Sequence, residues 1–89
     1  MEIQVRFNQA NRIELLNLAY SFGYKEYDDL NDYHIYNHFT LCGNKEFYYS
    51  YRYSDALYVE PEQLGEVLLL VGLGMSHRDI KHVLEVPTK

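Results

Sequence analysis

The sequence contains no tryptophan, only one cysteine and two prolines, and fewer basic residues than acidic ones. Because a disulfide needs two thiols, Cys42 cannot form one within the chain, which fits a reducing compartment. The 8 Lys and Arg residues against 13 Asp and Glu give a formal net charge of −5. Since affinity for nucleic acid comes mostly from cations on phosphates, this charge argues against direct nucleic-acid binding. It suits a partner with a basic surface.

Long hydrophobic runs are also missing. The longest, VLLLVGLGM at 67–75, is too short to span a bilayer. The stretch MEIQVRF has neither the pattern of a signal peptide nor that of a targeting helix. We therefore expect no membrane association and a cytoplasmic location. With 89 residues the chain has room for one hydrophobic core, so we expect a single compact domain over 1–89.

Hydrophobic periodicity predicts the first two elements. Apolar and polar residues alternate over 3–7, which indicates a half-buried strand. Apolar residues then recur at helical spacing over 13–22, with Ile13 and Tyr20 on the predicted buried stripe. Gly23 is placed to end this helix, because glycine adopts the left-handed conformation that helix ends commonly need.

Two further alternating stretches, 33–42 and 47–54, predict a β-hairpin. Residues that face each other across two strands point to the same side of the sheet, so keeping the apolar residues on one side requires an odd number of loop residues. We predict a three-residue loop, Gly43–Lys45. The predicted core-face pairs are Leu41–Phe47, Phe39–Tyr49 and Ile35–Tyr53, and the outer-face pairs are Thr40–Tyr48, His38–Ser50 and Tyr36–Arg52.

The last third of the sequence predicts two helices. Pro61 fits the first turn of one helix, which Gly72 or Gly74 ends. Ser76 caps the second helix, which runs to about residue 85 and turns Ile80, Val83 and Leu84 inward. The complete order, β-α-β-β-α-α, predicts an α+β fold in which a three-stranded antiparallel sheet has its helices packed on one face.

The sequence offers no group of residues typical of an active site. His34 and His38 lie about 13 Å apart on one predicted strand, too far to bind one zinc ion, and His38 is equally far from Cys42. The acids of 28–32 lack the glycine and the distal glutamate of a calcium loop, and no glycine-rich phosphate loop is present. We therefore predict a non-catalytic protein without a metal or another cofactor.

Two surfaces are candidate binding sites. The predicted loop over 24–32 interleaves tyrosines with acids; tyrosine is enriched at interface hot spots, and acids steer a protein to a basic partner. Alternatively, its tyrosines lie on the core edge and its acids are merely solvated. The outer face of the hairpin is the second surface, where we expect a cation–π contact between Tyr36 and Arg52 or an interface between two copies. The predicted partner-binding residues are Tyr24, Glu26, Tyr27, Asp28, Asp29, Asp32, Tyr36, Tyr48 and Arg52.

Direct nucleic-acid binding remains an alternative because of two features. Tyr36, Tyr48 and Arg52 on the outer face resemble a stacking platform for bases. The stretch LLLVGLGMSHRDIKHVL has the helix–glycine–helix pattern of a helix-turn-helix, but EVPTK follows where the recognition helix should begin. The outer face also offers only Arg6 and Arg52 as cations for phosphates.

Four stretches carry a resemblance to small accessory proteins encoded by bacteriophages: LAYSFGYKEY, YHIY, EFYYSY and VEPEQLGEVL. They follow one another within 3–70, whereas the last helix, 76–85, departs from that pattern. The resemblance implies a stoichiometric inhibitor of host machinery, a class that includes anti-CRISPR proteins, in the bacterial host cytoplasm. It carries over no functional residue, because that group has no shared site.

The resulting hypothesis is a protein-binding module that inhibits a host defence or nucleic-acid-handling protein. Its acidic, tyrosine-rich surface would occupy a basic groove of that host protein. The alternatives are a homo-oligomeric structural or regulatory module, which assembles through the outer sheet face, and a small nucleic-acid-binding regulator.

Overall fold

A computed structural model of the chain describes residues 2–27, 35–53 and 55–85. The described elements confirm an α+β fold with three α-helices and a five-stranded sheet. In chain order they are β1 (Ile3–Arg6), α1 (Arg12–Ser21), β2 (Lys25–Glu26), β3 (His38–Leu41), β4 (Glu46–Ser50), β5 (Leu57–Val59), a 3-10 helix (Pro61–Gln63), α2 (Leu64–Gly72) and α3 (His77–Glu85).

The sheet is mixed, with strand order β2-β4-β3-β1-β5. β3 runs antiparallel to β1 and β4, while β2 is parallel to β4 and β5 is parallel to β1. The predicted three-stranded antiparallel sheet and the order β-α-β-β-α-α are therefore wrong in detail. The missed strands, β2 and β5, span only two and three residues, which is too short for an alternating pattern to stand out.

The hairpin register is confirmed at its loop end. Leu41 pairs with Phe47, as the predicted three-residue loop requires. The amide of Cys42 donates to the carbonyl of Glu46 at 2.8 Å, which closes the loop 43–45. Lys45 has a φ of 69°, the left-handed conformation typical of the last residue of such a loop.

The other end of the hairpin differs from the prediction. β4 ends at Ser50, so the predicted pairs Ile35–Tyr53 and Tyr36–Arg52 do not form. Ile35 is 50% exposed instead of lying in the core. The reason is that 51–53 leaves the strand ladder and crosses the sheet face opposite the core, which we call the outer face.

This crossing follows from the strand order. β4 and β5 are parallel and lie on opposite sides of the β3–β1 pair, so the chain must return over the sheet between them. It returns over the outer face, whereas α1 carries the chain from β1 to β2 over the core face. The two crossovers run in opposite directions on opposite faces, so they have the same hand. A single hand is the rule for crossovers between parallel strands.

The core lies between the sheet and the helices. α1 turns Leu15, Leu16 and Ala19 into it, but Ile13 and Tyr20 are 55% and 45% exposed. Placing these two on the buried stripe was wrong, because apolar residues surround this helix and their spacing does not select one face. The other buried apolar residues are Ile3, Val5, Phe7, Tyr24, Phe39, Leu41, Phe47, Tyr49, Leu57, Val59, Leu64, Val67, Leu68 and Ile80.

Two glycines end α1 and α2. Gly23 and Gly74 have φ values of 89° and 93°. At the end of α1 the amide of Tyr24 donates back to the carbonyl of Ala19 at 3.1 Å, which is the Schellman arrangement. The predicted end at Gly23 is confirmed, and of the two glycines offered for α2 it is Gly74 that lies just past the helix.

The C-terminal helices lie close to their predicted places. Pro61 begins the 3-10 helix that leads into α2. At the start of α3 the Ser76 hydroxyl oxygen accepts the Asp79 amide at 3.2 Å, and Ile80 is fully buried. Val83 was predicted to face inward but is 42% exposed, whereas Leu84, one turn after Ile80, packs against the core as predicted.

Candidate binding surface

A buried glutamine organises the outer face. Gln4 is inaccessible to solvent, and its side-chain nitrogen lies 3.0 Å from Thr40 Oγ1, 3.1 Å from Ser50 Oγ and 2.9 Å from the carbonyl oxygen of Tyr51. Its side-chain oxygen accepts the Tyr53 amide at 3.1 Å. Because two of these partners belong to the crossover, Gln4 holds 51–53 against the outer face and leaves the two ends of that face uncovered.

The uncovered ends differ in charge. Glu2 and Arg6 lie at opposite ends of β1 and point to the same side, and four residues of strand separate them by about 13 Å. We call the first end the acidic end; it consists of Glu2, Cys42, Glu46, Tyr48 and Tyr53. We call the second the basic end; it consists of Arg6, His38, Arg52 and Tyr58.

At the acidic end, one carboxylate accepts two hydrogen bonds. The Tyr53 hydroxyl and the Cys42 thiol both donate to Glu2, the thiol at 3.5 Å. Burial, together with the charge of Glu2, raises the pKa of Cys42 to about 11. Burial and the hydrogen bond to Glu2 also raise the pKa of Tyr53. Cys42 is therefore a protonated thiol at neutral pH and a poor nucleophile.

Beside the acidic end, at β2, two tyrosines form an exposed aromatic contact, which we call the tyrosine edge. Tyr27 is 67% exposed, and its ring lies edge-on to that of Tyr48 with centroids 6.4 Å apart. The neighbouring Glu26 carboxylate accepts a hydrogen bond of 2.5 Å from the Tyr20 hydroxyl. This bond is the main reason why the pKa of Tyr20 rises to about 12. The accessible Tyr27 ring therefore lies on the outer-face side of this edge, whereas the exposed Glu26 carboxylate lies on the side of α1.

The other predicted binding residues have varied positions. Tyr24 is only 5% exposed, with Lys45 Nζ lying 4.7 Å from its ring centroid, so this tyrosine belongs to the core edge. Tyr36 is half-buried, and its ring packs against that of Tyr51 at 4.9 Å. Three predicted residues lie outside the described part of the chain, namely Asp28, Asp29 and Asp32.

At the basic end, Arg52 has a different partner from the predicted Tyr36. Its guanidinium carbon lies 4.3 Å from the centroid of the Tyr58 ring. That ring lies 5.8 Å from the imidazole of His38, which is Arg6's partner across the β1–β3 ladder. Burial, then the charges of Arg52 and Arg6, lower the pKa of His38. Sequence reasoning missed this cluster because β5 carries Tyr58 into the sheet and the crossover brings Arg52 to it.

The described residues also bear on metal binding and on membrane spans. Within 2–27, 35–53 and 55–85, no cluster of three or more His, Cys, Asp or Glu side chains is arranged to hold a metal ion. In the same part of the chain, no helix is both long and apolar enough to cross a membrane.

Comparison with known proteins adds no relative. No protein-family model, curated protein or solved structure matches the chain. Function must therefore be inferred from the tyrosine edge and the two ends of the outer face.

Proposed function

We propose that this protein is a non-catalytic protein-binding module that engages its partner through the tyrosine edge and the acidic segment that follows it in sequence. The observation that carries the proposal is the 67% exposure of Tyr27, whose ring lies edge-on to that of Tyr48. An exposed aromatic ring that is already held by a neighbour loses little conformational freedom on binding, which favours affinity. Asp28 and Asp29 directly follow Tyr27 and add negative charge.

The chemistry of this surface favours a basic partner. The chain carries a net charge of −5, and the acids at 26, 28, 29 and 32 surround the tyrosines in sequence. Such a surface is attracted to a groove that otherwise holds nucleic acid, because both present negative charge to the same cations. The phage-type resemblance supports a host defence or nucleic-acid-handling protein as the target, met in the bacterial cytoplasm and inhibited by occupation of its groove.

The chemistry of Cys42 supports the non-catalytic part of the proposal. With a pKa of about 11, this thiol is protonated at neutral pH, and the nearest acid, Glu2, stabilises the protonated form by accepting its hydrogen bond. A nucleophilic thiol needs the opposite arrangement, in which a base or a cation lowers its pKa.

The test is an affinity capture from bacterial lysate, followed by titration of the purified partner. The chain with Asp28, Asp29 and Asp32 all changed to Lys should lose the partner. Tyr27→Ala should weaken binding about 30-fold, the effect of a typical hot-spot residue. The matched control changes three exposed helix acids, Glu14, Glu62 and Glu66, to Lys, and it should keep the partner because it alters the net charge equally at another surface.

Equal loss in the control triple variant would contradict the proposal, because binding would then follow net charge and not this surface. Capture that survives both the Asp triple variant and Tyr27→Ala would contradict it as well. The alternative is that copies of the chain assemble through the whole outer face. Less of that face is available for such contact than predicted, because 51–53 covers its centre. Light scattering at several protein concentrations measures such assembly, and a mass that grows with concentration would favour it over the proposed function.

A further inference from the structure

We propose that the basic end of the outer face is a binding site for the phosphate group of a small phosphomonoester. The site is formed by Arg6, Arg52 and His38, with Tyr58 as its floor. It is separate from the tyrosine edge, so it goes beyond the proposed function and does not depend on it.

Two cations, Arg6 and Arg52, converge on one imidazole. Arg6 is directly opposite His38 across the β1–β3 ladder, and Arg52 lies on the Tyr58 ring, which is 5.8 Å from the imidazole. Two like charges next to a buried imidazole repel one another, and a bound anion removes this repulsion. Guanidinium groups are the side chains best suited to hold a phosphate, because their paired N–H groups match its oxygens.

The cluster is already ordered before a ligand binds. The cation–π contact with Tyr58, at 4.3 Å from the guanidinium carbon to the ring centroid, restrains the Arg52 side chain. His38 is 5% exposed, and its Nδ1 lies 2.6 Å from Asn37 Oδ1. With Nδ1 engaged, Nε2 is the ring nitrogen left for a ligand. A site whose side chains are held in place loses less entropy when it binds.

Beside the cluster there is space for the rest of a ligand. An open groove of about 350 Å³ lies between β5 and α3, and Arg52 and Tyr58 line its wall. It can take the organic part of a monoester whose phosphate lies on the arginines. Lys81 adds a cation to this groove, while Asp55 and Glu85 add carboxylates that would repel a second negative group. This balance favours a monoester over a polyphosphate or a nucleic acid.

The site also predicts a coupling to His38. Its imidazole faces Arg6 from β1, Ser50 from β4, Tyr58 from β5 and Arg52 from the crossover. In the free protein, burial and the two arginines keep the pKa low. A phosphate dianion offsets both positive charges and can accept a hydrogen bond from the protonated Nε2, so its binding should raise the pKa of His38. By linkage, a ligand that raises this pKa binds the protonated form more tightly.

The experiment is an NMR titration of the full chain with glycerol phosphate and, separately, with inorganic phosphate, each compared with chloride at equal ionic strength. We expect saturable shifts at His38, Arg52 and Tyr58, a higher His38 pKa in the complex, and at least as tight binding of glycerol phosphate as of inorganic phosphate. Arg6→Gln and Arg52→Gln should each weaken binding about tenfold, because each removes one charge-assisted hydrogen bond to the phosphate. Arg78→Gln removes an exposed arginine of α3 outside the cluster and should bind like the parent.

Shifts equal to those caused by chloride would overturn the inference, as would arginine variants that bind like Arg78→Gln. Tighter binding of a polyphosphate or an oligonucleotide would overturn the choice of a monoester. If phosphate bound only after Asp28, Asp29 and Asp32 were changed to Asn, the occupant would be this chain's own acidic segment, and the inference would be wrong. The result with Tyr27→Ala in the capture experiment is independent of these outcomes, because Tyr27 is unchanged in the phosphate titrations.

Discussion

Gln4 shows how one polar side chain can set the path of a neighbouring segment. It lies between Ile3 and Val5 on β1, but on the other side of the sheet, where strand alternation predicts exposure to water. The crossover covers it completely, and every polar atom of its side chain has a partner there. A buried amide with all its hydrogen bonds formed costs little, whereas removing it leaves several partners unsatisfied.

We therefore expect Gln4→Ala to lower the free energy of unfolding by about 3 kcal/mol, because the amides and hydroxyls that it serves lose their partner in a buried site. Urea denaturation followed by circular dichroism measures this change. Gln9→Ala, at an exposed position of the loop before α1, should change stability by less than about 0.5 kcal/mol. Similar midpoints for the two variants would mean that 51–53 does not depend on Gln4 for its place.

At the scale of elements, two glycines near the end of α2 have different roles. Gly72 is the last residue of the helix, and Gly74 lies just past it with a φ of 93°. A Cβ added at either position would meet no atom within 4 Å, so steric overlap does not distinguish them. The difference lies in backbone conformation alone, since a left-handed residue strains any side chain while a helical one favours alanine over glycine.

Alanine at these two positions should therefore act in opposite directions. Gly74→Ala should destabilise the protein by about 1 kcal/mol, and Gly72→Ala should stabilise it by about 0.5 kcal/mol. Thermal denaturation of both variants, measured side by side with the parent, decides the matter. Two shifts of the same sign would show that Gly74 does not end the helix in the left-handed conformation.

At the scale of the whole molecule, the buried His38 and the half-buried His77 make stability depend on pH. Burial lowers the pKa of both His38 and His77 from the ordinary value of 6.5. The folded protein therefore binds a proton at each of these imidazoles less tightly than the unfolded chain does. The contribution of each neutral imidazole to the free energy of unfolding is fully present above pH 6.5. That stability is lost as the pH falls through the lowered pKa of the folded state.

Stability should therefore fall as the pH decreases from 6.5, with a slope of at most about 1.4 kcal/mol per pH unit for each histidine. His38→Gln and His77→Gln should each reduce this slope. His82→Gln removes an exposed imidazole of α3 and serves as the matched control. Urea midpoints over this pH range, in buffer without phosphate, measure the slopes, and parallel curves for His38→Gln, His77→Gln and the control would contradict the prediction.

The sheet as a whole also accounts for the separation of the two proposed sites. The crossover covers the middle of the outer face and leaves the acidic end with the tyrosine edge on one side and the basic end on the other. A helix in the place of 51–53 would bury this face completely, as in sheets covered on both sides. A short irregular segment leaves both ends accessible.

The sequence alone determined those features that depend on neighbouring residues. The end of α1 at Gly23, the helix over 77–85 and the three-residue hairpin loop each follow from periodicity or from a turn residue within a few positions. Glu26 and Tyr27 also stood out as candidate binding residues because tyrosines and acids are interleaved there, and Tyr48 did so because strand alternation places it on the outer face. Whether Tyr24 joined that surface or the core depended on packing, and only the structure places it in the core edge.

Only the tertiary structure decided the features that join distant segments. β5 takes its place by pairing with β1, more than fifty residues earlier, and the crossover takes its path from Gln4. Three residues of β5 carry too little pattern to reveal that pairing. The basic end combines side chains from β1, β3, β5 and the crossover, so it exists only once these pairings form. Local patterns are encoded within one stretch of chain, whereas strand order depends on which long-range pairings bury the most apolar surface and satisfy the most backbone groups.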